Sequence, residues 1–79
     1  ENEKAEKSNP AHIAAPLQGK LSQFLVAEGQ EVKQNQPLFV IEAMKMETTI
    51  TATKPGRIGR LVLPAGKMVR ADDLVLTLD

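Results

Sequence analysis

The chain has 79 residues, enough for one small domain, and its ten basic and ten acidic side chains cancel, so it lacks the basic field that draws nucleic acid or an anionic membrane surface. Two phenylalanines are the only aromatic residues and there is no cysteine, which excludes a base-stacking platform, disulfides, thiol catalysis and thiolate metal sites. No apolar run approaches the roughly 20 residues of a membrane span, and Glu1 to Ser8 lacks the apolar region of a signal peptide, so a soluble domain in a reducing compartment is expected.

Residues 1–11 are polar and mixed in charge, ending in Ser8-Asn9-Pro10. They read as a flexible linker, whose end-to-end span would be roughly 18 Å. The folded unit is then 12–79. His12, the only histidine, lies beside the linker with no second or third ligand near it in sequence, and is expected to be a surface or edge residue, not a metal ligand. Ser8 and Ser22 have no neighbouring base, and the five glycines are too dispersed to cradle a phosphate. No catalytic or metal site assembles from these residues.

From Gly19 onward the sequence repeats at an offset of 37 without a gap. Gly19, Gly29 and Val32 recur as Gly56, Gly66 and Val69, and Lys20, Leu21, Phe24, Val26, Lys33, Asn35, Leu38 and Ile41 meet similar residues at the same offset. Both copies space their apolar residues by three and then two, as Leu21, Phe24, Val26 and Ile58, Leu61, Leu63, a shared break in alternation that predicts a bulge at the same place in each. No stretch keeps a helical period before glycine or proline interrupts it.

The expected fold is therefore all-β, a flattened barrel-sandwich of two similar four-stranded halves related by a quasi-dyad. Neither half could bury an apolar face alone. The expected core is Leu21, Phe24, Val26, Val32, Phe39, Ile41, Ile58, Leu61, Leu63, Val69, Leu76 and Leu78. Gly29 and Gly66 should occupy matching turns, and Asn35 and Asp72 a second pair where left-handed backbone is tolerated.

Between the copies, Pro37-Leu38-Phe39-Val40-Ile41 and Thr48-Thr49-Ile50-Thr51 read as two strands, close enough to form a hairpin. If Met44-Lys45 is the turn, Ala43 pairs with Met46, Glu42 with Glu47 and Ile41 with Thr48, sending Ile41 and Ile50 inward. Tight hairpin turns need positive φ, which Asn-Gly supplies, yet nothing from Glu42 to Thr48 is Gly, Asn or Asp. Such conflicts between local preference and fold are expected at functional sites, and the residue on display is Lys45.

Glu42-Ala43-Met44-Lys45-Met46-Glu47 resembles the biotin attachment site of the biotinyl (biotin carboxyl carrier) domain family, and the similarity runs from His12 to Leu78. The resemblance implies the biotinyl/lipoyl type of eight-stranded barrel-sandwich, with biotin joined by an amide to Lys45. Ala43, Met44 and Met46 would be the recognition flanks and Glu42 and Glu47 contacts for a partner enzyme. It further implies a non-catalytic carrier that is biotinylated by a biotin protein ligase and shuttles carboxyl groups, as carboxybiotin, between biotin carboxylase and carboxyltransferase sites. The expected location is the cytoplasm, or the mitochondrial matrix in a eukaryote.

Asn9 to Ile13 and Met46 to Ile50 are most similar to the pyruvate carboxylase branch of the family. Pro16-Leu17-Gln18-Gly19 and Asn35 depart from the common family pattern, so carriers of acetyl-CoA, acyl-CoA or oxaloacetate-decarboxylating biotin enzymes remain alternatives. So do a lipoyl domain, whose lysine usually follows Asp, and an unmodified structural barrel-sandwich module.

Overall fold

The computed structural model describes residues 2–79. Eight strands follow one another: β1 (His12–Ala14), β2 (Gly19–Phe24), β3 (Glu31–Val32), β4 (Pro37–Ala43), β5 (Met46–Thr51), β6 (Gly56–Leu61), β7 (Met68–Val69) and β8 (Leu74–Leu78). They form two antiparallel four-stranded sheets, ordered β1-β8-β6-β3 and β5-β4-β2-β7. The offset of 37 carries β1 to β5, β2 to β6, β3 to β7 and β4 to β8, so one sheet order maps term by term onto the other.

The sheets are not the sequence halves. Each sheet takes two strands from each half, so neither half can complete a sheet without the other. The symmetry extends to single hydrogen bonds. Asn35 N–H donates to Ala52 O at 2.7 Å and Asp72 N–H to Ala15 O at 2.8 Å; Leu25 N–H donates to Leu38 O at 2.8 Å and Val62 N–H to Val75 O at 2.9 Å. The four turn residues expected to match do so, with φ of 86° and 94° at Gly29 and Gly66 and 69° and 72° at Asn35 and Asp72.

The shared spacing of three and two corresponds to shared register shifts, between Leu21 and Gln23 against β4 and between Ile58 and Leu61 against β8. A second matched pair was not legible in the spacing. β4 carries an extra residue at Leu38 against β5, and β8 one at Val75 against β1. A bulge turns consecutive side chains to the same side, so Leu38 and Val75 join Phe39 and Leu76 in the core against simple alternation.

Ten of the twelve expected core residues are buried; Phe24 and Leu61 are half-buried and pack on the cluster from its edge. The phenylalanines meet edge to face, with ring centroids 6.3 Å apart, a favoured aromatic geometry. Ala15 and Ala52, also mates at the offset, are buried too, as are Val40 and Leu74 outside the main cluster.

The stretch expected to be linker is held to the domain over part of its length. Leu74 N–H donates to Glu3 O at 2.7 Å and Ala5 N–H to Asp72 O at 2.8 Å, while Lys4 forms an ion pair with Asp73. The physical cause is Asp73 itself. It is 2% exposed and the only buried charged residue among those described, and a buried carboxylate needs such partners. His12 lies on β1, at the edge of its sheet, and its Nδ1 accepts from Glu6 N–H at 3.1 Å.

Candidate functional site

β4 and β5 form the expected hairpin, with Ala43 opposite Met46, Glu42 opposite Glu47 and Ile41 opposite Thr48. Two residues connect them, Met44 at φ 52° and Lys45 at φ 66°. Positive φ at both central positions is the backbone of a type I′ turn, whose twist suits a tight hairpin. For a side chain with a Cβ it costs about 1–2 kcal/mol per residue. The surrounding register overrides this preference and holds both residues in the left-handed region.

At the tip, Met44 is 94% exposed and Met46 70% exposed, so neither methionine fills the end of the core. Lys45 is exposed as well, and no described residue forms an ion pair with its ammonium. Ala43 is half-buried, and Ile50 packs against the core as expected. Glu42 and Glu47 are exposed and directly opposed, an arrangement that is unfavourable between like charges. Lys20 of β2 lies next to Glu42 on the other side, leaving Glu47 on the edge strand with no basic cross-strand neighbour.

Beneath the hairpin, β2 approaches so closely that only glycine fits at position 19. A Cβ there would lie 2.6 Å from Glu42 O and 2.8 Å from Ile41 Cγ2. At Gly56, its mate, the nearest atom would be Leu78 Cδ1 at an ordinary 3.7 Å. At this matched pair of positions, close approach is thus imposed beneath the Lys45 hairpin and not at the mate. Beside the tip is a shallow hollow lined by Gln18, Lys20, Glu42, Met44, Lys45 and Met68.

Met68, 62% exposed, was not among the residues expected at the site. Its signal in the sequence is the repeat: the offset pairs Met68 with Glu31, a large apolar residue standing where the other copy has a surface charge. Asp73 is likewise an unexpected charge near this end. Burial pushes its carboxyl up, but donation from Lys4 Nζ, Arg70 N–H and the Asn2 amide, with the charge of Lys4, outweighs burial and brings it from 3.8 to about 2. Among the described residues no group of three or more His, Asp or Glu side chains could hold a metal ion.

Four similarities to known proteins bear on this domain. The model of a family described as "Biotin-requiring enzyme" matches residues 11–78. A pyruvate carboxylase of Staphylococcus aureus is 43% identical over 76 residues, covering 96% of this chain and 7% of that protein; the chain thus spans a small fraction of the relative's length. The crystal structure of a complete multifunctional pyruvate carboxylase from Rhizobium etli contains a stretch superposing with a TM-score of 0.83 at 36% identity, over 98% of this chain and 7% of that one. The lipoyl domain of the 2-oxoglutarate dehydrogenase complex from Azotobacter vinelandii superposes with a TM-score of 0.75 at 24% identity, over 87% of this chain and 95% of that domain, which speaks to the fold alone. With the sheet order, the bulges and the hairpin in place, the chain belongs to the biotinyl/lipoyl domain family of biotin-requiring enzymes.

Proposed function

We propose that this chain is the carrier domain of a pyruvate carboxylase-type enzyme, that Lys45 is its point of biotin attachment, and that the domain presents the attached group in turn to biotin carboxylase and carboxyltransferase sites. The observation that carries the reading is the Met44-Lys45 turn: a lysine held at φ 66° on a two-residue tip between two exposed methionines. The tip fits biotin chemically, because amide formation needs a primary amine that an acylating enzyme can surround, and Lys45 is exposed and free of ion pairs among the described residues. When bound, biotin supplies a ring nitrogen that takes up and hands on a carboxyl group.

The residues of this chain have three tasks. The deprotonated Nζ of Lys45 attacks the carboxyl carbon of ligase-activated biotin, forming the amide as the activating group leaves with the electron pair of the broken bond and the nitrogen gives up one proton to solvent or a base of the ligase. The rigid hairpin then holds the arm clear of the domain, because Gly19 lets β2 support β4 closely at Glu42. Tethering makes delivery intramolecular, with effective concentrations of about mM for short tethers. Met44, Met46 and Ala43 give the partner enzymes an adaptable apolar surface, and Glu42 and Glu47 face basic groups on them. Catalysis resides in those partners, and the location is the cytoplasm or a mitochondrial matrix.

The test is the intact mass of the chain after incubation with biotin, ATP and a biotin protein ligase. We expect one biotinyl group on Lys45, none on the other six lysines, and none at all in Lys45→Ala, which remains folded. Biotin on Lys54 or Lys67 would refute the assignment. In a parallel incubation with lipoate, ATP and a lipoate protein ligase, a lipoyl group on Lys45 in place of biotin, or no modification by either ligase, would return the alternatives.

A further inference from the structure

The internal repeat gives the Lys45 end a natural control: the pseudo-symmetric end of the same molecule. There, Glu31 of β3 lies opposite Arg57 of β6 and forms an exposed ion pair at 3.5 Å. The Lys33 N–H donates to Gln36 Oε1 at 3.0 Å, closing the turn into β4. At the Lys45 end the same places hold Met68 opposite Lys20, and Arg70 N–H donating to Asp73 Oδ2 at 2.8 Å. The backbone is the same, but two side chains differ in kind. A surface glutamate has become an exposed methionine, and a neutral amide has become a buried carboxylate.

Neither change favours stability in isolation. Met68 removes the partner that would pair with Lys20, whose ammonium has no ion pair among the described residues. Asp73 must be desolvated, a cost that its donors have to offset. The two changes are also physically joined. The Asn2 side-chain amide donates both to Asp73 Oδ2 at 2.9 Å and to the Met68 carbonyl at 3.0 Å, and Lys4 Nζ closes on Asp73 Oδ1. Asp73 thus clamps residues 2–4 beside β7, and that strap pins the backbone of Met68 at the rim of the hollow that Met44 and Lys45 also line. All three methionines of the chain are exposed, and two of them border this hollow.

We propose that Met68 is a further recognition residue of the carrier end, contacted together with Met44 by the ligase that acylates Lys45, and that Asn2 and Asp73 position it. This rests on the carrier reading above. The ligase is the chosen occupant because any enzyme acylating Lys45 must cover the tip, and the hollow is continuous with it. The matching surface is an apolar seat for the two methionine side chains with an acceptor, such as a carboxylate, for Lys20.

The experiment measures ligase-catalysed biotinylation of the full chain against its concentration. Met68→Glu, which restores the residue of the pseudo-symmetric end, should raise KM about fivefold or more with kcat retained, the size expected for losing one apolar anchor from an interface. Met68→Leu should rescue it, and Glu31→Met should leave both constants unchanged. Asp73→Gln, which keeps an acceptor for Arg70 but loses the charge that holds Lys4, should raise KM by a smaller factor and speed hydrogen exchange at Leu74. Thermal unfolding checks each fold, with Met68→Gln replacing the glutamate variant if that one is unstable. Wild-type KM in the folded Met68 variant, an equal effect from Glu31→Met, or a loss confined to kcat would overturn the recognition role, and wild-type KM in Asp73→Gln the positioning role. Each of those results leaves the carrier reading standing, whereas failure of the unmodified chain to be biotinylated on Lys45 overturns that reading and this one together.

Discussion

The tip of the hairpin should be a site where the domain is less stable than its backbone allows. In Met44→Asn with Lys45→Gly the turn receives the pair that positive φ favours. Glycine at φ 66° carries no Cβ penalty, against about 1–2 kcal/mol for a residue with a Cβ, though part of that gain is offset by its larger entropy loss of about 0.5–1 kcal/mol. Asparagine visits the left-handed region more readily than methionine, and Met44, at 94% exposure, gives up no packing when replaced. The sum is a stabilisation of about 1 kcal/mol, or roughly 4–8 °C in the midpoint for a domain this small. The chain has no Trp or Tyr, so the assay is scanning calorimetry together with urea unfolding followed by far-UV circular dichroism. A variant no more stable than the parent would show that the turn stores no strain, and the link between poor turn chemistry and function would fail with it. In the expected outcome the variant is more stable and cannot be biotinylated.

Two other consequences are open to direct measurement. Leu21→Ala and Ile58→Ala remove mates that are both fully buried beside matched bulges, so each should cost about 2–5 kcal/mol in denaturant unfolding; a neutral result for either would break the equivalence of the halves. Asp73 titrates at about 2 when folded, below its ordinary 3.8, so its ionised form stabilises the fold above the unfolded value and that contribution disappears as pH falls from about 4 towards 2. Unfolding free energies measured across that window should fall less steeply for Asp73→Asn than for the parent, and parallel slopes would show that the strap does not hold the carboxylate.

Much of the fold was legible because the sequence states it twice. One irregular spacing in one copy would have been ambiguous; the same irregularity at Leu21–Phe24 and Ile58–Leu61 pointed to bulges, and the pairing of Asn35 with Asp72 pointed to left-handed turns. The bulges at Leu38 and Val75 were hidden because continuous apolar runs surround them. Within such a run, alternation cannot say which residue is the extra one. The Lys45 turn was legible as a conflict between strand pattern and turn chemistry. Residues 2–5 were not, because a short polar segment carries no pattern of its own. What orders it is Asp73, about 70 positions away in sequence, and nothing local announces a contact of that kind.

A duplicated fold would be expected to offer two equivalent tips, yet this one has a single two-residue tip of this kind, at Met44 and Lys45, and topology supplies the reason. β4 and β5 pair with Val40 opposite Thr49, and their mates β8 and β1 pair with Thr77 opposite His12. The same ladder therefore exists at both ends of the molecule. At one end two residues join its strands and present Lys45; at the other β1 precedes all the remaining strands and β8 follows them, so no turn closes the ladder. Selection for recognition can then act on one end while the other remains free to be merely stable. The side chains follow that division. The open end keeps an ion pair at Glu31 and Arg57 and an ordinary amide at Gln36. The closed end accepts two strained φ angles, two opposed glutamates, three exposed methionines and a buried carboxylate. Apart from the carboxylate, whose ionised form Lys4, Arg70 and Asn2 stabilise, each of these is unfavourable or neutral for folding, and their concentration around one lysine is what a surface shaped for a partner, not for its own stability, would look like.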